Sequence, residues 1–329
     1  MTTLATLLES FFTKRLMTER QASPETIASY RATFCLLLRF AEGRLGKSPS
    51  QLEIADLDAP FIGAFLEHLE HERHNSATTR NARLAAIRSL FRYAAWRVPE
   101  QAAVVQRVLA MSGPRTQRPV VTFLTDDEVG ALLSAPDLAS WTGRRDRALL
   151  TIAVQTGLRV SELTGLSCGQ VHLSIGPHVR CVGKGRKERC TPLTAASVMV
   201  LKSWLREQPG GSADPLFPSR RGGLLSADAV QALVAKYVEG AMEDCPSMRA
   251  KRVTPHTLRH TAAMRLLRAG VDTSVIALWL GHERTETTQV YLHADLGIKE
   301  RALARTAPID ISPGRYRPTD PLLAFLEAL

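Results

Sequence analysis

Six side chains between residues 159 and 291 of this 329-residue chain have the types needed to move a phosphoryl group without a metal. Arg159 lies in "TGLRVSEL", just past Gly157, and Lys184 in "GKGRKER". His256 and Arg259 lie in "TPHTLRHTAAMRLL", and His282 and Tyr291 in "LGHERTETTQVYLHA". Two arginines can clamp the nonbridging oxygens of a phosphodiester, where charge gathers in the transition state. The histidines can donate hydrogen bonds or carry a proton, and the lysine can protonate a leaving alkoxide. Tyr291 would then be the nucleophile. Its free pKa of about 10 makes it weak at neutral pH, so a cationic pocket is the expected activation. A tyrosine ester keeps the phosphodiester's energy for rejoining, which attack by water does not.

Taken singly, each motif has a bland explanation. An arginine at a loop-to-helix junction is usually a surface or capping residue, but Leu158 and Val160 flank Arg159 and Glu162 can orient it. The basic "GKGRKER" turn reads as solvated, yet glycines around Lys184 let a backbone approach a ligand closely. Lys187 is the rival lysine in that loop, and no G-x-x-x-x-G-K-[ST] pattern is present. His256 and His260 have the i, i+4 spacing of zinc ligands. Thr257 stands where H-E-x-x-H needs Glu, and no third ligand is evident, so no metal or other cofactor is expected. His260 is read as a packing residue with an internal hydrogen bond.

The elements that must position these groups are mostly helical. Residues 1–112 read as a helical domain, beginning with Leu4, Leu7, Leu8, Phe11 and Phe12 at helical spacing. Ser23 and Pro24 start a second helix expected to stop at Gly43. A third follows Pro60. A fourth, "SATTRNARLAAIRSLFRYAAWR", carries Arg80, Arg83, Arg88, Arg92 and Arg97 and no acid. Solvated helices normally mix signs, so this face suits DNA phosphates. Residues 113–120, with Gly113, Pro114 and Pro119, read as a linker.

The second domain is expected over 121–310. Thr125 caps its first helix, and another helix spans roughly 143–156 and ends at Gly157. The valine-rich "VHLSIGPHVRCVGKGRKERCTPL" predicts an antiparallel hairpin or three-stranded sheet. Helices resume near 194–208, 226–242, 256–269, 273–280 and 286–303. A tail, 311–329, holds a short apolar helix. The fold class is therefore mainly α with a small antiparallel sheet, in two domains.

Composition sets the frame for a partner. Lys and Arg number 42 against 32 Asp and Glu, a net charge of +10 that favours a polyanion. The N-terminus lacks the pattern of a secretory signal, and no run approaches a membrane span of about 18 apolar residues. Five scattered cysteines without C-x-x-C fit reduced thiols, so a cytoplasmic protein with no membrane partner is expected.

The order "TGLRVSEL", "GKGRKER", "HTLRH", "LGH", "TTQVYLHA" resembles the tyrosine recombinases: phage integrases, the Xer recombinases and Cre. The resemblance covers most of 120–300, and the helical N-terminal part is more loosely similar to their core-binding domain. It implies Arg159 and Arg259 as the phosphate clamp, Lys184 as general acid, His256 and His282 as supporting histidines, Tyr291 as nucleophile and Glu162 as the brace of Arg159. It further implies a C-shaped clamp on duplex DNA bearing specific sites and a 3′-phosphotyrosyl intermediate. Four identical or mixed protomers would exchange strands, and a segment beyond the nucleophile would dock on its own domain or on a neighbour. Site-specific recombination for a mobile element is the leading expectation. The alternatives are a catalytically silent DNA-binding accessory protein and a type IB topoisomerase-like relaxation activity.

Overall fold

The computed structural model describes residues 3–115, 121–183, 188–208, 210–282 and 286–293. The chain divides into two compact units, Met1–Arg118 and Pro119–Leu329. Lys184, Lys187 and the 311–329 tail lie outside the described residues, as does the expected helix beyond residue 293.

The first unit is helical. α1 (Leu4–Ser10) continues as a wider π-type turn to Glu19, followed by α2 (Pro24–Leu45), α3 (Ala59–His71), α4 (Ala77–Ala94) and α5 (Ala102–Ala110). Ser23 caps α2 with Pro24 at its first position, as the sequence predicts. The helix runs past Gly43, however, and stops at Gly46, which has the left-handed φ of 64°. A glycine inside a helix costs only about 1 kcal/mol, so a helix ends where the chain turns left-handed, not at its first glycine. Phe11, Leu37, Phe65, Ile87, Leu90 and Phe91 are fully buried in one core.

The second unit begins with α6 (Asp126–Ser134), where Thr125 and Glu128 form a reciprocal capping box. α7 (Trp141–Thr156) ends at Gly157 and α8 (Val160–Thr164) follows at once. Three antiparallel strands come next in the order β1 (Val171–His172), β2 (His178–Val182), β3 (Glu188–Pro192). Then follow α9 (Ala195–Arg206), α10 (Ala227–Asp244), α11 (Pro255–Arg268), α12 (Thr273–Leu280) and α13 (Glu286–Gln289), with a last 3₁₀ turn over Val290–His293. Among the described residues, no helix is long and apolar enough to cross a membrane.

Two polar clusters, each built on a buried carboxylate, fix the helices that carry the site. Glu128 on α6 accepts from Lys251 Nζ and Ser247 Oγ, both at 2.6 Å, and so anchors the turn that enters α11. Asp146 on α7 accepts from Arg145 at 2.7 Å and from the Tyr237 hydroxyl of α10 at 2.9 Å. Each member is satisfied, so these clusters specify geometry without leaving a buried charge alone.

Candidate phosphoryl-transfer site

The site is built where the C-termini of α7 and α12 meet the N-terminal half of α11. The last carbonyls of a helix have no partner inside it, and they attract cations. Arg259 is 4% exposed; its Nη1 donates to the Gly157 carbonyl at 2.6 Å and its Nη2 to the Leu280 carbonyl at 2.8 Å. Arg159, at the start of α8, donates through Nη2 to the Gly281 carbonyl at 3.0 Å. Gly157 and Gly281 both take left-handed φ, near 63° and 65°. A Cβ on Gly157 would lie 2.6 Å from Leu280 Cδ2, so only glycine lets the two helix ends approach this closely.

Glu162 is the counter-charge. It accepts from the backbone N–H of Arg159 at 2.7 Å and from that residue's Nη1 at 2.9 Å. Arg189 on β3 completes the set, donating to both Glu162 carboxylate oxygens at 2.9 and 2.7 Å. Burial alone would raise the Glu162 pKa, but hydrogen bonds from Arg189 and the Arg159 backbone hold it below its ordinary 4.5. Arg189 escapes a motif-based reading because its partner lies 27 residues away. The signal is its strand register: Arg189 pairs with Cys181 and shares the inward face of Cys181, Val179 and Thr191. A charged residue on that apolar face needs a buried partner.

Three arginines against one carboxylate leave the site positive, and the guanidiniums repel. Burial first, then Arg159, brings the Arg259 pKa down to about 10. A cleft of about 690 Å³ opens over these groups, lined by Arg159, Ser161, Asp228, Arg252, His256 and Arg259 among others. Such a cleft suits a phosphodiester anion. Partial burial, then Arg259 and Arg159, lowers the His256 pKa.

Tyr291 belongs to this site and to the core at once. Its side chain is 2% exposed and packs with Ala263, Met264, Leu267, Ile276 and Leu280, while Val290 and Leu292 pack beside it. Its hydroxyl oxygen lies 3.0 Å from Nδ1 of His260. The His282 ring stacks at 6.5 Å and 13° on the Tyr291 ring, and His282 Nδ1 lies 2.8 Å from Thr288 Oγ1. Burial, then Arg259 and Arg159, pushes His282 down to about 4. The expectation that cations depress the Tyr291 pKa is reversed here: burial raises it and outweighs the opposing pull of Arg259. Solvent exclusion, invisible in the order of motifs, decides the sign.

Five of the six expected groups thus gather in one place with Glu162, while the position of Lys184 lies outside the described residues. Among the described residues, no three His, Cys, Asp or Glu side chains cluster as metal ligands. In the first unit, α4 does not lack a counter-charge as expected, because Arg80 pairs with Glu70 of α3 at 3.2 Å. An acid from a neighbouring helix does what none on α4 does. Among the described residues, Arg83 and Arg88 each keep a buried Nε without a hydrogen-bond partner, and Arg92 is exposed.

Comparison with known proteins agrees with this geometry. Residues 122–296 match the phage integrase family, and residues 10–98 match its N-terminal SAM-like domain. The chain is 56% identical over 326 residues to "Putative integrase/recombinase y4rC" of Sinorhizobium fredii, covering 99% of this chain and 98% of that one. It is 34% identical to "Tyrosine recombinase XerC" of Pelotomaculum thermopropionicum, covering 84% and 90%. Its fold is similar to that of the XerH site-specific recombinase in a post-cleavage complex, with TM-score 0.69, 24% identity and coverage of 87% and 81%. Matched by the family model over more than half its length and by relatives along most of it, the chain belongs to the phage integrase family of tyrosine recombinases.

Proposed function

We propose that this protein cuts and rejoins duplex DNA at specific sites through a 3′-phosphotyrosyl intermediate. The observation that carries the reading is the arginine pair on the Leu280 and Gly281 carbonyls, with the charge of Arg259 acting on the buried Tyr291. A phosphodiester anion relieves the repulsion between the guanidiniums, and their field strengthens as charge grows on its nonbridging oxygens. Tyr291 attacks phosphorus, and His256 and His282 support the clamp with hydrogen bonds. Lys184 delivers a proton to the 5′ leaving oxygen, and rejoining reverses these steps without cofactor or nucleotide.

The α4 arginines Arg80, Arg83, Arg88 and Arg92, with Lys187, bind phosphates outside the reacting one. Arg83 lies beside Arg73, whose charge, after burial, lowers the Arg83 pKa, an arrangement an anion stabilises. The family relationship extends the reading to a tetramer of protomers on two DNA sites, in the cytoplasm, serving a mobile element. Residues 1–112 are assigned to core binding, 121–310 to catalysis and 311–329 to docking on a protomer.

The test selects the target sequence from a random pool. Protein in EDTA is incubated with a nicked duplex pool randomised on both sides of the nick, and SDS-resistant adducts are recovered and sequenced. Adducts formed by wild type and not by Tyr291→Phe are expected. Their absence from the wild-type protein, or their persistence in the variant, contradicts the reading.

A further inference from the structure

The Tyr291 hydroxyl is buried, and a buried O–H needs an acceptor. Among the described residues its only hydrogen-bond partner is Nδ1 of His260, at 3.0 Å. A phenol holds its proton far more tightly than imidazolium, so the hydrogen of this pair rests on oxygen and the lone pair on Nδ1. His260 projects from α11 one turn after His256, and the two rings stack at 5.7 Å and 20°. Its ring meets that of Tyr291 edge-on at 5.6 Å.

From this contact we infer that His260 is a further catalytic residue, the base that receives the proton of Tyr291 when the tyrosine attacks. The inference rests on the strand-transfer reading above. As the Tyr291 O–H bond breaks, its proton passes to Nδ1 of His260. The freed electron pair forms the new bond to phosphorus. The bond from phosphorus to the 5′ oxygen breaks, and that oxygen takes its proton from the general acid. On rejoining, Nδ1 returns its proton to the phenolate as it leaves phosphorus.

The charges around His260 give this base a condition. His256 and Arg259 on its own helix, Tyr291 on the last turn and His282 after α12 face it. Burial, then His256 and Arg259, pushes the His260 pKa down to about 4. A cation there is unfavourable while the cleft is empty. A phosphodiester anion between Arg159 and Arg259 supplies the missing negative charge, so proton transfer becomes favourable only with DNA in place.

Two measurements decide the matter. The first uses DNA-free protein with ¹⁵N-labelled histidine, the His260 resonances being assigned by their loss in His260→Asn. The neutral form with hydrogen on Nε2 and a bare Nδ1 is expected at pH 7. A hydrogen on Nδ1 overturns the proposal whether or not the protein cuts DNA. The second uses the duplex recovered by covalent trapping. His260→Asn keeps an acceptor near Nδ1 but cannot hold the proton. It should cleave about 100-fold or more slowly, within the usual range for loss of a general base, and bind the duplex as wild type does. Its rate should rise about tenfold per pH unit from pH 7 to 9, as Tyr291 ionises unaided, while the wild-type rate stays flat. A folded variant that cleaves within threefold of wild type with the same pH profile overturns the proposal. If Tyr291→Phe still forms adducts, it is the strand-transfer reading that fails, and the Nδ1 result stands separately.

Discussion

Arg159 and Arg259 end on adjacent carbonyls: Nη2 of Arg259 on Leu280 and Nη2 of Arg159 on Gly281. One helix terminus therefore holds two side chains that repel each other. The carbonyls neutralise part of that repulsion, Glu162 part of the rest, and the balance is available to an anion.

Removing one of the two tests what they do for the transition state. Arg259→Ala should lower the cleavage rate on the trapped duplex by about 10²–10³-fold, the usual loss for one preorganised donor. Duplex affinity in a gel-shift titration should change little, because phosphate contacts elsewhere carry most of the binding. A proportionate loss of binding and cleavage would mean that Arg259 acts in the ground state.

Glu162 and Arg189 form a buried bidentate pair, and losing Arg189 leaves the buried carboxylate with the more exposed Arg159 alone. Arg189→Met should destabilise the second unit by about 3 kcal/mol in denaturant unfolding. The Glu162 pKa is depressed in the fold, so its stabilisation is complete above its ordinary 4.5 and is lost as pH falls through the lower folded value. Stability measured against pH should show this acid limb in wild type and a shallower one in Glu162→Gln.

His260 and His282 act in another pH window. Both have folded pKa values near 4, below the ordinary 6.5, so the unfolded chain takes up protons that the fold refuses. Stability should fall as pH drops from about 6.5 toward 4, the linkage slope reflecting both histidines. His282→Gln should flatten that slope in melts followed across the window. An unchanged slope contradicts the burial of the His282 ring as a neutral group.

Gly157 ends α7 at a left-handed φ of 63° and lies against Leu280 at the end of α12. Gly157→Ala should destabilise the protein by more than about 1 kcal/mol, from backbone strain and the Cβ contact with Leu280. Because the Gly157 carbonyl holds Arg259, cleavage at a temperature where the variant is folded should slow as well.

Where the sequence was informative, a local pattern carried the geometry. Gly157 and Gly281 end α7 and α12 at left-handed positions, Ser23 and Thr125 cap α2 and α6, and valine alternation gives the three-stranded sheet. The same motifs brought Arg159, Glu162, His256, Arg259, His282 and Tyr291 to one site. The sequence was silent where partners are chosen by tertiary packing. Arg189 finds Glu162, Glu70 finds Arg80, and the Tyr291 hydroxyl finds His260 across 31 residues. It misled on Tyr291 itself, because a string of basic motifs records charge and not how much water the fold removes.

The most direct test of the central claim is the chemical identity of the DNA adduct. Wild-type protein trapped on the selected nicked duplex is digested with nuclease and protease, and the modified peptide is sequenced by mass spectrometry. The expected product is a nucleotide joined through its 3′ phosphate to the oxygen of Tyr291. A 5′ linkage, or a nucleotide attached to any other residue, contradicts the account.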